Sequence, residues 1–381
     1  FSIDLYNDSN GYFSTTIILC NTRKYHGLMI LPIDEFDGEN HVLLSNVDET
    51  VVQHGQSFNL GIHRYPGIYE PRGHKYIVDF EYEPTPTLTY RVGGVILKKE
   101  LLFVHNEEQF MIRYTLVDAH SPTKLRIKPF LAFRNAHKLS KANLWANTKY
   151  QTCANGVKYK LYTGFPFLHL QTNKKNEFVA TPDWYYNIEY MEELKRGYEG
   201  HEDLFVPGYI EIPIKKGESI IFSAATSEQA PASLLKKFNA ELLRRPKKDN
   251  FMNCIANAAH QLIVQKGKKH DIIAGYPWFG SWGRDTFISL PGLTLGLNDD
   301  KMCKTILDSL SQDLKNGLFP KRGNATSVAF NSVDAPLWYF WAIQQYFYHT
   351  KNHKDVWHDY GKKMKTILKG YREGLAYNIK M

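Results

Sequence analysis

The hydrophobic pattern of this 381-residue chain changes period near residue 230, and that change restricts the fold more than any other feature. Before it, apolar residues fall in short β-branched or aromatic runs at 42–52, 95–104, 109–117 and 124–131, partly alternating and separated by turn residues. Residues 209–214 and 219–224 flank Lys215-Lys216-Gly217-Glu218 and read as a hairpin with Gly217 at the turn. Many such strands with few helical periods imply a large antiparallel β-sandwich. After the change, Phe251, Cys254, Ile255, Ala258, Ala259 and Leu262 recur at the spacing of a buried helix face. Further helices are expected at 286–295, 300–314, 334–348 and 353–375. Helices in succession, with long loops between them, fit an α/α toroid.

The length suits two cores rather than one. The expected organisation is therefore a β-sandwich over 1–228, a helical linker over 229–248 closed by Pro246, and the first part of a toroidal domain over 249–381. Residues 183–203 read as a polar, aromatic-studded insertion with a short helix, and Glu202-Asp203 as an exposed turn. There is no internal repeat.

The charge is uneven. Residues 231–381 carry 23 Lys and Arg against 12 Asp and Glu, whereas the preceding residues carry 24 against 27. The basic runs, such as Arg244-Arg245 and Lys362-Lys363, read as solvated helix faces. No nucleic-acid module accompanies them, so no nucleic-acid partner is expected. No stretch is apolar enough to span a membrane, and the start at Phe1 lacks a basic segment followed by an apolar one. The absent initiator Met points to residues upstream, and a cytoplasmic location is the expectation. Cys20, Cys153, Cys254 and Cys303 lie far apart, without metal-site spacing, and are expected to be reduced core thiols. No metal or organic cofactor is expected.

The richest stretch chemically is 274–293. It gathers Tyr276, Trp278, Phe279 and Trp282 among three glycines, then delivers Arg284 and Asp285 just ahead of an apolar run. Rings that stack on C–H faces, next to a fixed donor and a fixed acceptor, suit a sugar. The competing reading is a well-packed loop whose Asp285 caps the next helix. A second aspartate, Asp334, precedes Ala335-Pro336 and an aromatic helix containing Trp338 and Tyr339. It reads either as an N-cap, with Pro336 in the first turn, or as an acid in a cleft. The two readings oppose each other electrically, because a helix N-terminus favours the carboxylate while a general acid must retain its proton. An acid role requires an enclosed site.

Five blocks carry a family resemblance. Ala274–Leu293, with its Trp282-Gly283-Arg284-Asp285, resembles the signature of the bacterial and archaeal glycogen debranching enzymes, the amylo-alpha-1,6-glucosidase family, and is similar to the Arg-Asp pair of the wider glucoamylase-like group. Cys20-Asn21-Thr22-Arg23-Lys24-Tyr25-His26-Gly27-Leu28 resembles the family's N-terminal domain signature. Asp334-Ala335-Pro336-Leu337-Trp338 looks like its Asp-Ala-x-Leu-Trp block, and 317–322 its Gly-Leu-x-Pro-x-Arg loop. Glu202-Asp203 also lies in a family-like block.

The resemblance implies inverting hydrolysis of α-1,6-linked glucose stubs on glycogen or another branched α-glucan, with Asp334 as general acid. Arg284 and Asp285 would hold the terminal glucose, Trp278 and Trp282 would stack on it, and Arg322 and Trp338 would line the pocket. Tyr25 and His26, with Arg23 and Lys24 at a strand-turn position, read either as satisfying loop carbonyls and salt bridges or as lining a wall of the glucan cleft. The family's base is a Glu expected beyond Met381, so weak or no turnover, with the sandwich intact, is the expectation for a chain that ends there. Glu373 does not match the motif of that base. The same scaffold also fits another exo-acting α-glucosidase, a disaccharide hydrolase, or a glucan-binding fragment without turnover. The oligomeric state stays open.

Overall fold

The computed structural model describes residues 2–6, 13–266, 269–321 and 330–375. The chain divides into a first compact unit containing Tyr12–Arg245 and a second containing Pro246–Met381.

The first unit is a β-sandwich. One sheet is ordered Ser2–Tyr6, Phe13–Ile17, Gly27–Pro32, Asn40–Gln53, Thr123–Asn135, His201–Ile214, Glu177–Glu189, with Gln56–Asn59 also paired to Asn40–Gln53. The other is ordered Gln151–Cys153, Gly156–Tyr159, Leu168–Thr172, Ser219–Ala225, Gln109–Asp118, Val95–Phe103, Thr87–Val92, Ile77–Glu81. Their facing sides share one core, which includes Leu44, Val47, Ile127, Phe205 and Ile212 from the first sheet and Leu101, Phe110, Tyr114 and Phe222 from the second. The Thr123–Asn135 ladder to His201–Ile214 is interrupted between Ile127 and Leu131, where Pro129 has no N–H to donate.

Polar groups also cross between the sheets. Glu49, from the first sheet, accepts from Tyr114 Oη at 2.5 Å and pairs with Lys99 Nζ at 2.8 Å, both from the second. Beside it, Asp48 accepts from His63 Nε2 at 2.9 Å. A Cβ on Gly61 would lie 2.3 Å from the Asp48 carboxyl carbon, so only glycine leaves that carboxylate its place.

The expected hairpin is a corner between sheets. His201–Ile214 belongs to the first sheet and Ser219–Ala225 to the second. The turn hydrogen-bonds to the neighbouring strand: Gly217 N donates to Leu116 O at 2.7 Å, and Leu116 N donates to Glu218 O at 3.0 Å. Residues 184–189 are likewise part of an edge strand, Glu177–Glu189, rather than an insertion, although the short helix α1 (Met191–Leu194) does follow.

Helix α2 (Leu234–Arg244) places Leu234 and Phe238 on Leu102, Val104, Met111 and Ile221, the outer side of the second sheet. That strand region is therefore covered on both faces, since Leu101 and Phe103 point to the sandwich core.

The second unit is helical: α3 (Phe251–Leu262), α4 (Gly283–Leu293), α5 (Asp300–Ser311), α6 (Ala335–Thr350) and α7 (His353–Glu373). Its core joins Phe287 and Leu290 of α4, Ile306 and Leu307 of α5, Tyr339 and Ile343 of α6, and Tyr360 and Ile367 of α7. Phe287, Phe319 and Tyr339 form a ring cluster with centroids 4.9 to 5.3 Å apart. The apolar stripe of α3 departs from expectation, because Phe251 is 76% exposed and only Ala259 of the predicted face is buried. Periodicity marks an amphipathic helix but not what covers its stripe. Cys254 on that stripe is exposed and Cys153 half-buried, so only Cys20 and Cys303 are core thiols; all four are free. No described helix is long and apolar enough to cross a membrane.

Candidate active site

A two-stranded hairpin, Ile263–Lys266 with Lys269–Ile272, leads into the aromatic loop. The loop is closed at its base by a bridge between Ile273 and Ser281 and by Ala274 N donating to Gly280 O at 3.0 Å. Within it Phe279 N donates to Gly275 O at 3.0 Å, and Phe279 lies edge-on to both Trp278 and Trp282, at 6.0 and 6.4 Å. Both tryptophans are half-buried. The loop is thus a folded aromatic platform.

Trp282 is the N-cap of α4, which places Gly283, Arg284 and Asp285 in the first helical turn. Asp285 is therefore not the cap residue. Gly283 is a contact point: a Cβ there would lie 3.0 Å from Pro320 O and 4.0 Å from Ala335 Cβ. Its bareness lets the α4 N-terminus approach both the 317–321 loop and the α6 N-terminus. In that loop Leu318 and Phe319 are buried, and Gly317 takes a positive φ of 80°.

The α6 N-terminus carries Asp334. It occupies the N-cap position, where its carbonyl accepts from Leu337 N and Trp338 N at 2.9 and 3.0 Å, but its side chain does not cap the helix. The carboxylate instead accepts from Ser332 Oγ at 2.8 Å and from Arg284 Nη1 at 3.4 Å. Arg284 Nε also lies 3.9 Å from Asp285 Oδ2, a buried oxygen with no hydrogen-bond partner among the described residues. One guanidinium thus stands between two carboxylates at adjoining helix N-termini.

The electrostatics of Asp334 are those of an anion. Burial pushes its carboxyl upward, but the Ser332 hydroxyl, its own backbone N–H and Arg284 together hold it below the ordinary value. Its side chain is 37% exposed, and that of Arg284 50%. The enclosure that an acid needs is not met among the described residues.

Trp338 lies one helical turn beyond Asp334, half-buried and edge-on to Trp341 at 5.7 Å. Arg322 falls outside the described residues. Tyr25 and His26 belong to the first unit. There Tyr25 Oη contacts His137 Nδ1 at 3.2 Å, while His26 is buried and its Nδ1 accepts from Thr22 N at 3.2 Å.

Glu202 and Asp203 are not in an exposed turn. They lie in the strand His201–Ile214, and Glu202 is fully buried, accepting from Arg134, Tyr190, Ser140 N and Ser140 Oγ. A buried carboxylate survives only with such partners, which makes Glu202 a structural hub.

Sequence reasoning missed Ser332, Tyr371 and the steric role of Gly283. Ser332 stood two residues from Asp334 in the same block and was the detectable one. Tyr371, on α7, donates to Val333 O from 38 residues away, with no local signal.

Comparison with known proteins adds two family matches. The glycogen debranching enzyme N-terminal model matches residues 5–221, and the amylo-alpha-1,6-glucosidase model matches residues 257–381. Among solved structures, a bacterial glucoamylase complexed with acarbose is similar at 12% identity and a TM-score of 0.49, covering 97% of this chain and 61% of its own. A polysaccharide lyase is similar at 10% identity and a TM-score of 0.26, covering 98% of this chain and 69% of its own. The chain thus spans 61% of the length of the glucoamylase it matches.

Proposed function

The chain belongs to the glycogen debranching enzyme family, and from that premise we propose that it serves as a glycoside hydrolase that removes α-1,6-linked glucose from branched α-glucan. The observation that supports this reading best is the meeting of Arg284, Asp285 and Asp334 at the N-termini of α4 and α6. Asp285, whose side chain is 42% exposed, offers a carboxylate as acceptor, and Arg284 offers donors in fork geometry. Together they match the vicinal hydroxyls of a terminal glucose. Trp278 and Trp282 supply apolar surface for its C–H face.

Asp334 is the proton donor in this scheme. With no sugar present it is held ionised, in part by Arg284. A bound glucose draws the guanidinium to its hydroxyls and excludes water, and both changes favour the protonated form. The inverting reaction also needs a second carboxylate, roughly 6.5–9.5 Å away, to activate water. Glu373 is not that group: it is exposed on α7, 3.9 Å from Lys369 Nζ.

A second reading, glucan binding without turnover, is favoured by the exposure and ionisation of Asp334. Glucose release from limit dextrin, isomaltose, maltose and trehalose, compared between the native protein and Asp334→Asn, separates the two. Hydrolysis of the α-1,6 substrates that is lost in Asp334→Asn supports the debranching reading. Equal turnover in both proteins removes Asp334 from the chemistry. Binding of limit dextrin with no glucose release by either protein leaves the second reading standing.

A further inference from the structure

Asp334 projects from 330–334, a stretch with no regular structure, and what fixes that stretch decides where the carboxylate points. Its own side chains do little. Val333 is 50% exposed, Asn331 is exposed and Ser332 is half-buried. Downstream, the stretch is anchored where the Asp334 carbonyl receives the first N–H groups of α6. Upstream, the Lys315 ammonium lies over the Phe330 ring at 5.5 Å. Between these points one buried group reaches in from another helix. The Tyr371 hydroxyl, from the last turn of α7, donates to the carbonyl of Val333.

Tyr371 is nearly fully buried in the helical core, and a buried phenol requires an acceptor. Burial pushes the phenol above its ordinary range, and the Asp334 charge adds to that, so the hydroxyl remains a donor at any working pH. The acceptor it finds belongs to the peptide unit that joins Val333 to Asp334. Rotation of that peptide would swing Asp334 away from Ser332 Oγ and Arg284 Nη1 together, and the α7 hydrogen bond opposes it.

We propose that Tyr371 is a positioning residue for Asp334, acting through the Val333 carbonyl to keep the carboxylate aimed between Ser332 and Arg284. The functional part of this inference rests on the reading of Asp334 as the proton donor; the structural part does not.

The test reads Asp334 directly. In protein carrying ¹³C-carboxyl aspartate, the Asp334 resonance, assigned with Asp334→Asn, is titrated in the native chain and in Tyr371→Phe. Among the described residues, the titratable or charged groups that act on it are Arg284, itself 3.9 Å from Asp285, and Tyr371. The phenylalanine variant should titrate closer to the ordinary carboxylate value, because the hold of Ser332 and Arg284 is loosened. In steady-state hydrolysis it should lose about tenfold in kcat with little change in KM. Tyr339→Phe is the control, since that phenol is also buried in the same core but shares a hydrogen bond with Ser311 Oγ at 2.8 Å. It should lower thermal stability and leave Asp334 unmoved.

If Tyr371→Phe behaves as Tyr339→Phe does, the role is structural only and the proposal fails. Should Tyr371→Phe not fold, 3-fluorotyrosine at position 371, a stronger donor of similar shape, should move the Asp334 midpoint in the opposite sense; no movement overturns the proposal. Full turnover by Asp334→Asn would sink the hydrolase reading and leave the titration to judge Tyr371 independently.

Discussion

Arg284 Nη1 lies 3.4 Å from Asp334 Oδ2, an ion pair that joins the first turn of α4 to the first residue before α6 across 50 positions of sequence. Both partners are substantially exposed, so the pair contributes little to stability, about 1 kcal/mol or less. Its significance is positional. Replacing Asp334 by Asn keeps the size of the side chain and removes its charge and its proton. Under the hydrolase reading, glucose release should fall by about 10²–10⁴-fold, while limit-dextrin affinity, followed by calorimetry, changes little.

The sign of the pH dependence follows from the direction of the Asp334 shift. Its carboxyl is held below the ordinary 3.8 in the folded chain. The stabilisation is therefore fully present above that value and is lost as pH falls through the lower, folded-state value. Urea unfolding of the native chain and of Asp334→Asn should show a constant gap above about pH 5 that closes in stronger acid. A gap that widened on acidification would contradict the assigned hydrogen bonds.

Gly283→Ala tests how the site is assembled. Alanine is a good helix former, yet here its methyl would meet Pro320 O at 3.0 Å. The neighbours must shift, at a cost of about 1–3 kcal/mol, and the shift separates the elements that carry Arg284 and Asp334. Tryptophan fluorescence is a suitable monitor, since five of the seven tryptophans lie after Pro246. The melting temperature should fall and glucan affinity should weaken together.

In the sandwich, Lys99→Met strands Glu49, whose only remaining described partner is the Tyr114 hydroxyl. Loss of one member of a buried pair costs about 3–5 kcal/mol. The double variant Lys99→Met with Glu49→Gln should recover part of that loss in chemical denaturation, because no buried charge is then left alone.

Much of the architecture was legible because it rests on periodicity. The strands around Val47, Leu101, Ile112 and Ile127, and helices α4 to α7, follow from where apolar residues repeat. Periodicity does not predict the approach of Arg284 to Asp334; only the family resemblance set both blocks on one glucose. What stayed hidden depends on partners distant in sequence. Ile212 and Phe222 alternate as a hairpin would, and only the docking of the turn on Leu116 sends them to opposite sheets. Glu202 looks like a surface charge until Arg134 and Tyr190 are brought to it. Phe251 shows the converse error, since a good stripe does not guarantee a cover.

The Glu49 bridge also limits how the two layers of the sandwich can slide. Aliphatic side chains in the interior would tolerate a shift of one layer over the other by a residue pair, exchanging one greasy neighbour for another. Glu49 would not, because such a slip carries its charge away from Lys99 and the Tyr114 hydroxyl into hydrocarbon. Interlayer alignment is thus specified at a polar point inside the core as well as at the corner docked on Leu116, where apolar packing alone would leave it loose.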